Sequence, residues 1–328
     1  MIAHSTAKSV SGLHKFVAAD LHTLRSRAIR VRESLSSCRL CERMCNVDRL
    51  ADAPAPCGLG AETHVFKRHI SFAEEPEFLP SYMLYFAGCN FRCAFCVQAP
   101  NCFDPSRGPQ ANVRAIAREL QELVDRGAKT INLLGGEPSL HLHTILEIAA
   151  THSELYKDVR TIEALPILLN SNFYMTPQVI DDLEGVAKYY LADFKFGSDA
   201  CAKGIAGGHI TRYVSVVTRN LTHAWAQCQR TGARLLVRHL VMPGHVECCT
   251  KPVRAWVADN LPEVVLHLMD SYVPAYRAAR TNAKGLGELH RLLTAKEILA
   301  AHAPTESSYV PVTVQGGPQR VKPARGER

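Results

Sequence analysis

One stretch of the sequence, Tyr82-Met83-Leu84-Tyr85-Phe86-Ala87-Gly88-Cys89-Asn90-Phe91-Arg92-Cys93-Ala94-Phe95-Cys96, joins an apolar run to three closely spaced cysteines. The run over residues 83–87 is short and apolar, which predicts a buried strand. The cysteines follow in the pattern C-x3-C-x2-C, so they stand in the loop after that strand. Because ligands bind at the carboxyl ends of strands in parallel sheets, this loop is the first candidate for a functional site.

Short apolar runs continue to alternate with helical stretches along the rest of the chain. Further strands are predicted at 130–134, 166–170, 189–194, 235–241 and 264–269, and helices at 111–126, 140–152, 176–184, 219–230 and 248–260. Strands separated by helices of about ten residues predict βαβ units and a parallel sheet. Six units are too few to close an eight-stranded barrel. The predicted fold class is therefore α/β, an open partial (β/α)6 barrel, preceded by an amphipathic helix over 13–35 and a Cys-rich metal loop.

The cysteine motif after a strand resembles the signature of the radical S-adenosylmethionine (SAM) superfamily, and Phe95 fills the place of its usual aromatic residue. The order of later motifs resembles the branch around pyruvate formate-lyase activating enzyme and its uncharacterised homologues. The resemblance implies that Cys89, Cys93 and Cys96 hold a 4Fe–4S cluster with one iron left open for SAM. Reductive cleavage of SAM then yields a 5′-deoxyadenosyl radical that abstracts hydrogen. Spacing alone leaves open a zinc knuckle with Cys102 as the fourth ligand.

The same resemblance assigns residues at four later strand ends to the SAM site. They are Gly135, Gly136 and Glu137 in a G-G-E-P motif, Asn170, Ser171 and Asn172, the D-x-K pair Asp193 and Lys195, and Arg238 before a Pro-Gly. In the family, the G-G-E-P motif contacts the amino group of SAM, the small polar residues hold the ribose, and the arginine approaches the carboxylate. Taken without the resemblance, these segments are a turn, a capping loop and a plain Asp–Lys ion pair.

Several residues near the fifth strand end carry weaker hypotheses. His239 and His245 are candidates for substrate contact, although a single histidine is more often structural. The adjacent Cys248 and Cys249 could quench or donate to a substrate radical, and the interpretation favoured here is that they are buried helix residues.

A second group of cysteines, Cys38, Cys41, Cys45 and Cys57, has the spacing C-x2-C-x3-C-x11-C. Four thiolates complete a tetrahedral site without an open position. Either structural zinc or an auxiliary 4Fe–4S cluster fits this N-terminal tetrad. Activating enzymes with extra clusters carry a ferredoxin-like insert after the main motif, which this chain lacks. The tetrad resembles instead an N-terminal motif of the uncharacterised homologues.

Composition excludes some classes of protein. The chain has 328 residues and twelve cysteines, and no apolar run reaches the roughly 18 residues of a membrane helix. Its start lacks a basic region followed by an apolar one, so we expect a cytoplasmic protein whose cysteines serve metals or catalysis. The net charge of +7 arises almost wholly from the two ends. A neutral middle makes nucleic acid an improbable partner.

These observations divide the chain into five predicted segments: an N-terminal amphipathic helix (1–37), a Cys-rich metal-binding segment (38–66), a radical SAM core (78–270), a C-terminal helical extension (271–302) and a disordered basic tail (303–328). The expected partners are SAM, an electron donor such as flavodoxin or ferredoxin, and a protein or peptide substrate, without a membrane. The predicted function is SAM cleavage for hydrogen abstraction, with glycyl-radical enzyme activation as one use of it. Direct modification of a peptide or small molecule is the first alternative. A non-catalytic zinc-binding nucleic-acid module is the alternative from another class.

Overall fold

A computed structural model describes residues 15–159, 163–280 and 285–303. Its seven strands form one sheet in chain order: β1 (Val65–Ser71), β2 (Ser81–Phe86), β3 (Thr130–Gly135), β4 (Ile167–Ser171), β5 (Ala187–Asp193), β6 (Arg234–Leu240) and β7 (Val265–Met269). Strands β2 to β7 are parallel, and β1 runs antiparallel to β2. The sheet is open, because β1 and β7 do not pair with each other. The prediction of an open α/β sheet is confirmed.

Eight helices accompany these strands in the described part of the chain: α1 (Leu21–Glu33), α2 (Val113–Asp125), α3 (Leu142–Leu155), α4 (Pro177–Asp182), α5 (Asp199–Ala206), α6 (Tyr213–Thr231), α7 (Lys251–Asn260) and α8 (Ala295–His302). Polar caps set where several of them begin. Asp20 accepts a hydrogen bond from the backbone of Thr23 at the start of α1, and Asn112 does the same for Ala115 in α2. Such caps satisfy backbone N–H groups that lack a partner within the helix.

The predicted helices and strands differ from the observed ones at several places. The sequence prediction missed β1 and α5, and α6 begins six residues before the predicted start at 219. The predicted helix at 13–35 is helical over Leu21–Glu33, whereas residues 15–20 are not. In the predicted extension 271–302, the helix covers only Ala295–His302 of the described residues. The predicted tail lies outside the described residues except for Ala303.

The two faces of the sheet have different roles. On one face the strands pack against the helices in a large apolar core. On the opposite face, Leu168, Leu191 and Leu236 pack with Phe78 in a small separate cluster. Since side chains alternate along a strand, the residues two positions further on lie on this same face, nearer the carboxyl ends. Those residues are Asn170, Asp193 and Arg238, so an apolar floor lies beneath a polar layer.

Candidate active site

The loop that carries Cys89, Cys93 and Cys96 is held by the backbone of distant segments. The N–H of Cys89 donates to the carbonyl of Cys57 at 3.1 Å, and the N–H groups of residues 92 and 94 donate to the end of α5. Gly88, with φ of +84°, makes the turn out of β2, and its N–H donates to the carbonyl of Cys102. The three thiols therefore stand on a loop whose backbone is fixed on several sides.

The environment of the three thiols differs. Burial raises the pKa of Cys89 well above its ordinary value, and burial also raises the pKa of Cys93 to about 12 although Lys195 opposes this. The thiol of Cys102 lies 3.6 Å from that of Cys96, and this hydrogen bond lowers the pKa of Cys96 to about 6. Metal ions bind the thiolate form of cysteine, so a bound cation would displace the protons that burial keeps on Cys89 and Cys93.

Cys102 is buried and lies beside Cys96, but it does not complete a mononuclear site. In the described part of the chain, a group of ligand atoms all within 4.8 Å of one another is formed by Cys201, His245, Cys248 and Cys249. It includes none of the four sulfur atoms of Cys89, Cys93, Cys96 and Cys102. A single tetrahedral zinc ion holds its sulfur ligands about 3.8 Å apart. The geometry therefore does not favour the zinc knuckle.

A cavity of about 420 Å³ opens beside this loop at the carboxyl ends of the strands. Twelve of the thirteen residues predicted for the catalytic cluster and SAM line it: Cys89, Cys93, Phe95, Cys96, Gly135, Gly136, Glu137, Asn170, Asn172, Asp193, Lys195 and Arg238. The thirteenth, Ser171, is buried behind the wall and donates to Glu137 at 2.6 Å. Predicted residues from the cysteine loop and from four later strand ends thus meet in one place.

Gly135 and Gly136 allow the end of β3 to approach the cysteine loop. A Cβ atom on Gly136 would lie 1.9 Å from the carbonyl oxygen of Gly88, and one on Gly135 would lie 2.5 Å from that of Phe86. Gly135 also has φ of +113°, which side chains rarely permit. The two glycines are therefore required by backbone packing between two strand ends, in addition to facing the cavity.

Glu137 is 1% exposed and joins the ends of β3 and β4. Its carboxylate accepts hydrogen bonds from the backbone of Ser139 and Asn172 and from the Ser171 hydroxyl. Burial raises the pKa of Glu137, while these hydrogen bonds act in the opposite direction. Both carboxylate oxygens are thus engaged within the protein, which holds the wall of the cavity in place.

Arg238 lies at the centre of the polar layer. Its guanidinium donates to Asn170 Oδ1 at 2.7 Å and contacts Asp193 at 3.3 Å, Glu74 at 3.5 Å and Glu75 at 3.7 Å. Burial disfavours its charge, but these carboxylates outweigh burial and raise the pKa of Arg238. The guanidinium is therefore neutralised by the protein's own acids.

Asp193 and Lys195 form an ion pair in the cavity wall. The Lys195 ammonium lies 2.5 Å from Asp193 Oδ2. Burial opposes ionisation of both groups, but their mutual attraction prevails, so the pKa of Asp193 is lowered and that of Lys195 is raised. Lys195 has one hydrogen-bonded side-chain partner among the described residues, which leaves N–H groups directed elsewhere. The amide nitrogen of Asn170 likewise has no partner in the described ranges.

Phe95 and the two histidines have different surroundings. The ring of Phe95 packs near those of Phe196 and Tyr272, with centroids 6.4 and 6.2 Å away. His239 is fully buried between the carbonyl of Phe194 and the hydroxyl of Thr250, which is a structural role rather than a substrate contact. His245 lies instead beside two cysteines.

The N-terminal tetrad stands against the cysteine loop, with Cys57 bonded through its carbonyl to Cys89. Its neighbour Arg49 is completely buried and donates to the carbonyls of Gly60 and Leu140, with Nη1 3.8 Å from the thiol of Cys38. Arg49 forms no ion pair with a carboxylate in the ranges that the structure covers, and its Nη2 has no hydrogen-bond partner there. A buried cation is costly unless a negative charge lies nearby. Thiolates of the tetrad would supply that charge to Arg49.

The sequence prediction missed one cluster of metal-ligating side chains. Cys201, which had no role assigned, lies with His245, Cys248 and Cys249. Cys249 is buried as expected for a helix residue, but Cys248 is only partly buried, and both are part of this group. The adjacent cysteines and the nearby His245 were the only sequence signal, because Cys201 lies 44 residues before His245. In addition, none of the described helices is long and apolar enough to cross a membrane.

Comparisons with known proteins agree on the family. A family model of the radical SAM superfamily matches residues 83–247. An uncharacterized protein of Methanocaldococcus jannaschii is 31% identical over 268 residues, which cover 80% of this chain and 72% of the relative. The family model spans the cysteine loop and the ends of β3 to β6 that line the cavity.

Solved structures give weaker likenesses. Streptococcus suis SuiB bound to the precursor peptide SuiA has a TM-score of 0.41 at 12% identity, covering 55% of this chain and 36% of SuiB. The radical S-adenosylmethionine methyltransferase TsrM of Kitasatospora setae, with tryptophan and a SAM analogue bound, has a TM-score of 0.44 at 17% identity, covering 58% of this chain and 35% of TsrM. This chain thus spans little more than a third of the length of either structure.

Proposed function

Because the chain belongs to the radical SAM superfamily, we propose that it is an enzyme that cleaves SAM reductively at the loop of Cys89, Cys93 and Cys96 and uses the resulting radical to abstract hydrogen. The observation that supports this is the shared cavity. The three thiols of the motif and the polar ends of β3 to β6 line the same space. Its volume of about 420 Å³ is within the usual range for small-molecule sites, roughly 300–1,000 Å³.

The thiols fit a 4Fe–4S cluster. They are soft ligands on a fixed loop, and they are not drawn together as a single zinc ion would require. When bound, the cluster would supply an open iron for SAM and the electron that cleaves it. The chain's own contribution is to hold these thiols, to place Lys195 near Cys93 and to exclude water with Phe95 and its aromatic neighbours.

The cavity also fits SAM, which carries an ammonium, a carboxylate and a ribose. Lys195 and the amide of Asn170 retain hydrogen-bonding capacity, so we assign them to direct contact with SAM. Glu137 and Arg238 are engaged within the protein, and we assign them to positioning: Glu137 fixes Asn172, and Arg238 fixes Asn170. Gly135 and Gly136 bring the end of β3 against the cysteine loop.

The rim of the cavity favours a substrate larger than a metabolite. Val97 and Val273 line the cavity and are 71% and 60% exposed. Exposed apolar side chains at a mouth are typical of a surface that another molecule covers. We propose a polypeptide substrate, and within that class the backbone glycine of a glycyl-radical enzyme, which the order of strand-end motifs supports. Direct modification of a peptide or small molecule is the second candidate.

For the N-terminal tetrad we propose a second 4Fe–4S cluster, with zinc as the alternative. The buried guanidinium of Arg49 would balance the charge of the thiolates. Among the described residues, the sulfur atoms of the tetrad do not form a group of three or more ligand atoms within 4.8 Å of one another. This wider spacing favours a centre of several metal atoms over a single ion. Iron and sulfide analysis separates the two, since eight irons per chain indicate two clusters and four irons indicate one.

The proposed function is tested by anaerobic reconstitution with iron and sulfide, reduction with dithionite and chromatographic measurement of 5′-deoxyadenosine. We expect SAM cleavage by the native chain and by Cys228→Ala, a matched variant of a buried cysteine in α6. We expect Cys93→Ala to reduce cleavage to the background without enzyme. A reconstituted native chain that leaves SAM intact, or a Cys93→Ala variant that cleaves it, would refute the proposal.

Stimulation of cleavage by a candidate partner distinguishes the two substrate classes. A glycyl-radical enzyme that accelerates cleavage and acquires a glycyl radical signal by electron paramagnetic resonance supports activation. Deuterium transfer into 5′-deoxyadenosine from a labelled peptide or small molecule supports direct modification instead. Flavodoxin or ferredoxin in place of dithionite identifies the class of electron donor.

A further inference from the structure

Four metal-ligating side chains meet outside the residues that line the cavity. Cys201 lies in the first turn of α5, and Cys248 and Cys249 lie in a π-helical turn, Val246–Thr250, that leads into α7. His245 immediately precedes that turn. We call Cys201, His245, Cys248 and Cys249 the Cys/His group. Its members come from two connections, the one after β5 and the one after β6.

The distances within the Cys/His group are those of ligands around one tetrahedral ion. The Cys201 sulfur lies 3.5 Å from that of Cys248 and 3.6 Å from Nδ1 of His245, while His245 Nδ1 lies 3.3 Å from the Cys248 sulfur. The sulfurs of Cys248 and Cys249 are 3.9 Å apart, and all four ligand atoms lie within 4.8 Å of one another. Tetrahedral zinc, with Zn–S of about 2.3 Å and Zn–N of about 2.0 Å, separates its ligands by about 3.6–3.8 Å.

The types of ligand in the Cys/His group favour zinc over other metals. Three thiols and an imidazole are the Cys3His set of structural zinc sites, and four protein ligands leave no position for a substrate. The sulfurs are too close together for an iron–sulfur cluster, whose thiolates surround several metal atoms. They are also farther apart than the roughly 2.05 Å of a disulfide, in keeping with three free thiols.

The backbone around the Cys/His group is packed to hold this arrangement. A Cβ atom on Gly197 would lie 2.8 Å from the carbonyl of Cys248 and 2.6 Å from that of Cys249, so only glycine lets the two connections approach so closely. The Ser198 hydroxyl accepts a hydrogen bond from the N–H of Cys201, which fixes the start of α5. The two connections therefore meet at short range before any ion is considered.

From this geometry we propose that Cys201, His245, Cys248 and Cys249 form a closed zinc site that fastens the start of α5 to the turn after β6. Gly197 follows Lys195 by two residues, so the site holds the connection that carries Lys195 into the cavity. The ion has a structural role and takes no part in SAM cleavage. The site is independent of the metal in the N-terminal tetrad.

The test is metal analysis of the full-length chain purified without oxygen, with zinc and iron measured together. We expect Cys201→Ser to contain one zinc per chain less than the native protein at unchanged iron. The matched variant Cys228→Ser replaces a buried cysteine remote from the Cys/His group, and we expect it to retain the native zinc content. The variant Cys41→Ser separates the two centres, since it affects only metal bound at the N-terminal tetrad.

A second measurement uses only the native protein, so it does not depend on whether a variant folds. In the native chain we expect zinc to protect Cys201 and Cys248, the two partly exposed thiols of the group, from alkylation. We expect their alkylation rates to rise at least tenfold after a zinc chelator is added. Cobalt added to the chelated protein should give the visible absorption bands of a tetrahedral thiolate site. Any one of three results would overturn the proposal. They are equal zinc content in native and Cys201→Ser protein, alkylation rates that do not change when the chelator is added, and a disulfide within the group in freshly purified protein.

Discussion

Gly136→Ala is the substitution whose effect follows most directly from the structure. The new Cβ atom would lie 1.9 Å from the carbonyl oxygen of Gly88, whereas heavy atoms of this kind do not approach below about 3 Å. The end of β3 must therefore move by about 1 Å. Two backbone hydrogen bonds join these segments, from Gly136 N–H to Phe86 at 2.7 Å and from Glu137 N–H to Gly88 at 2.9 Å.

The magnitude can be estimated from these contacts. Two hydrogen bonds at about 0.5–1.5 kcal/mol each contribute about 1–3 kcal/mol, and overpacking adds about 1–3 kcal/mol. We expect the free energy of unfolding to fall by about 2–6 kcal/mol. A shift of about 1 Å in a reactive site also costs on the order of 100-fold in rate, so 5′-deoxyadenosine formation should fall about as much.

The assays are urea unfolding of the chain followed by circular dichroism, and SAM cleavage after reconstitution. The control is Gly204→Ala in α5, because a Cβ atom there meets nothing within 4 Å. We expect that control to be as stable as the native chain or slightly more stable, by about 0.5–1 kcal/mol. If Gly136→Ala unfolds at the native urea concentration, the packing argument is wrong.

Three further substitutions follow from buried polar groups. Glu137→Gln replaces a carboxylate that accepts three hydrogen bonds, so we expect a loss of about 1–3 kcal/mol in unfolding free energy, and an unchanged urea midpoint would contradict this. Arg49→Met removes the donor to the carbonyls of Gly60 and Leu140 and the cation beside Cys38. We therefore expect the tetrad to lose its metal at a lower chelator concentration than in the native protein. The control Arg39→Met changes an exposed arginine on the same loop and should match the native protein. Burial lowers the pKa of His152 to about 4 from 6.5. The unfolded chain then takes up this proton first as pH falls, so His152 contributes stability that is present above pH 6.5 and lost towards pH 4. We expect His152→Gln to reduce the difference between the urea midpoints at pH 7 and pH 5, and an equal difference in both proteins would refute the assignment.

Strands buried on both faces were predictable from the sequence, because a continuous apolar run has few other interpretations. All six positions of β2 are buried, and its predicted range differs from the observed one by two residues at the start and one at the end. Strand β1 was missed because it is an edge strand with mostly polar, partly exposed residues. Helix α5 was missed because it is short and contains Gly204, which weakens the helical pattern.

The location of the site was predictable, whereas its internal pairing was not. The carboxyl ends of parallel strands meet at one edge, which brought Asn170, Asp193 and Arg238 together as expected. Two of the three acids that engage Arg238, Glu74 and Glu75, come from the segment before β2, and Glu74 is 164 residues away in sequence. Contacts of this kind depend on how a loop folds under the sheet, which local patterns do not specify. The same applies to Cys201 and its distant partners.

The small apolar cluster of Phe78, Leu168, Leu191 and Leu236 has a kinetic consequence. Because this cluster fills the face of the sheet next to the polar layer, we expect SAM and its fragments to enter and leave the cavity by the opening at the carboxyl ends of the strands. Any macromolecule seated over that opening must arrive after the nucleotide and depart before the spent nucleoside does. We therefore expect ordered turnover with such a substrate, which product inhibition patterns would reveal.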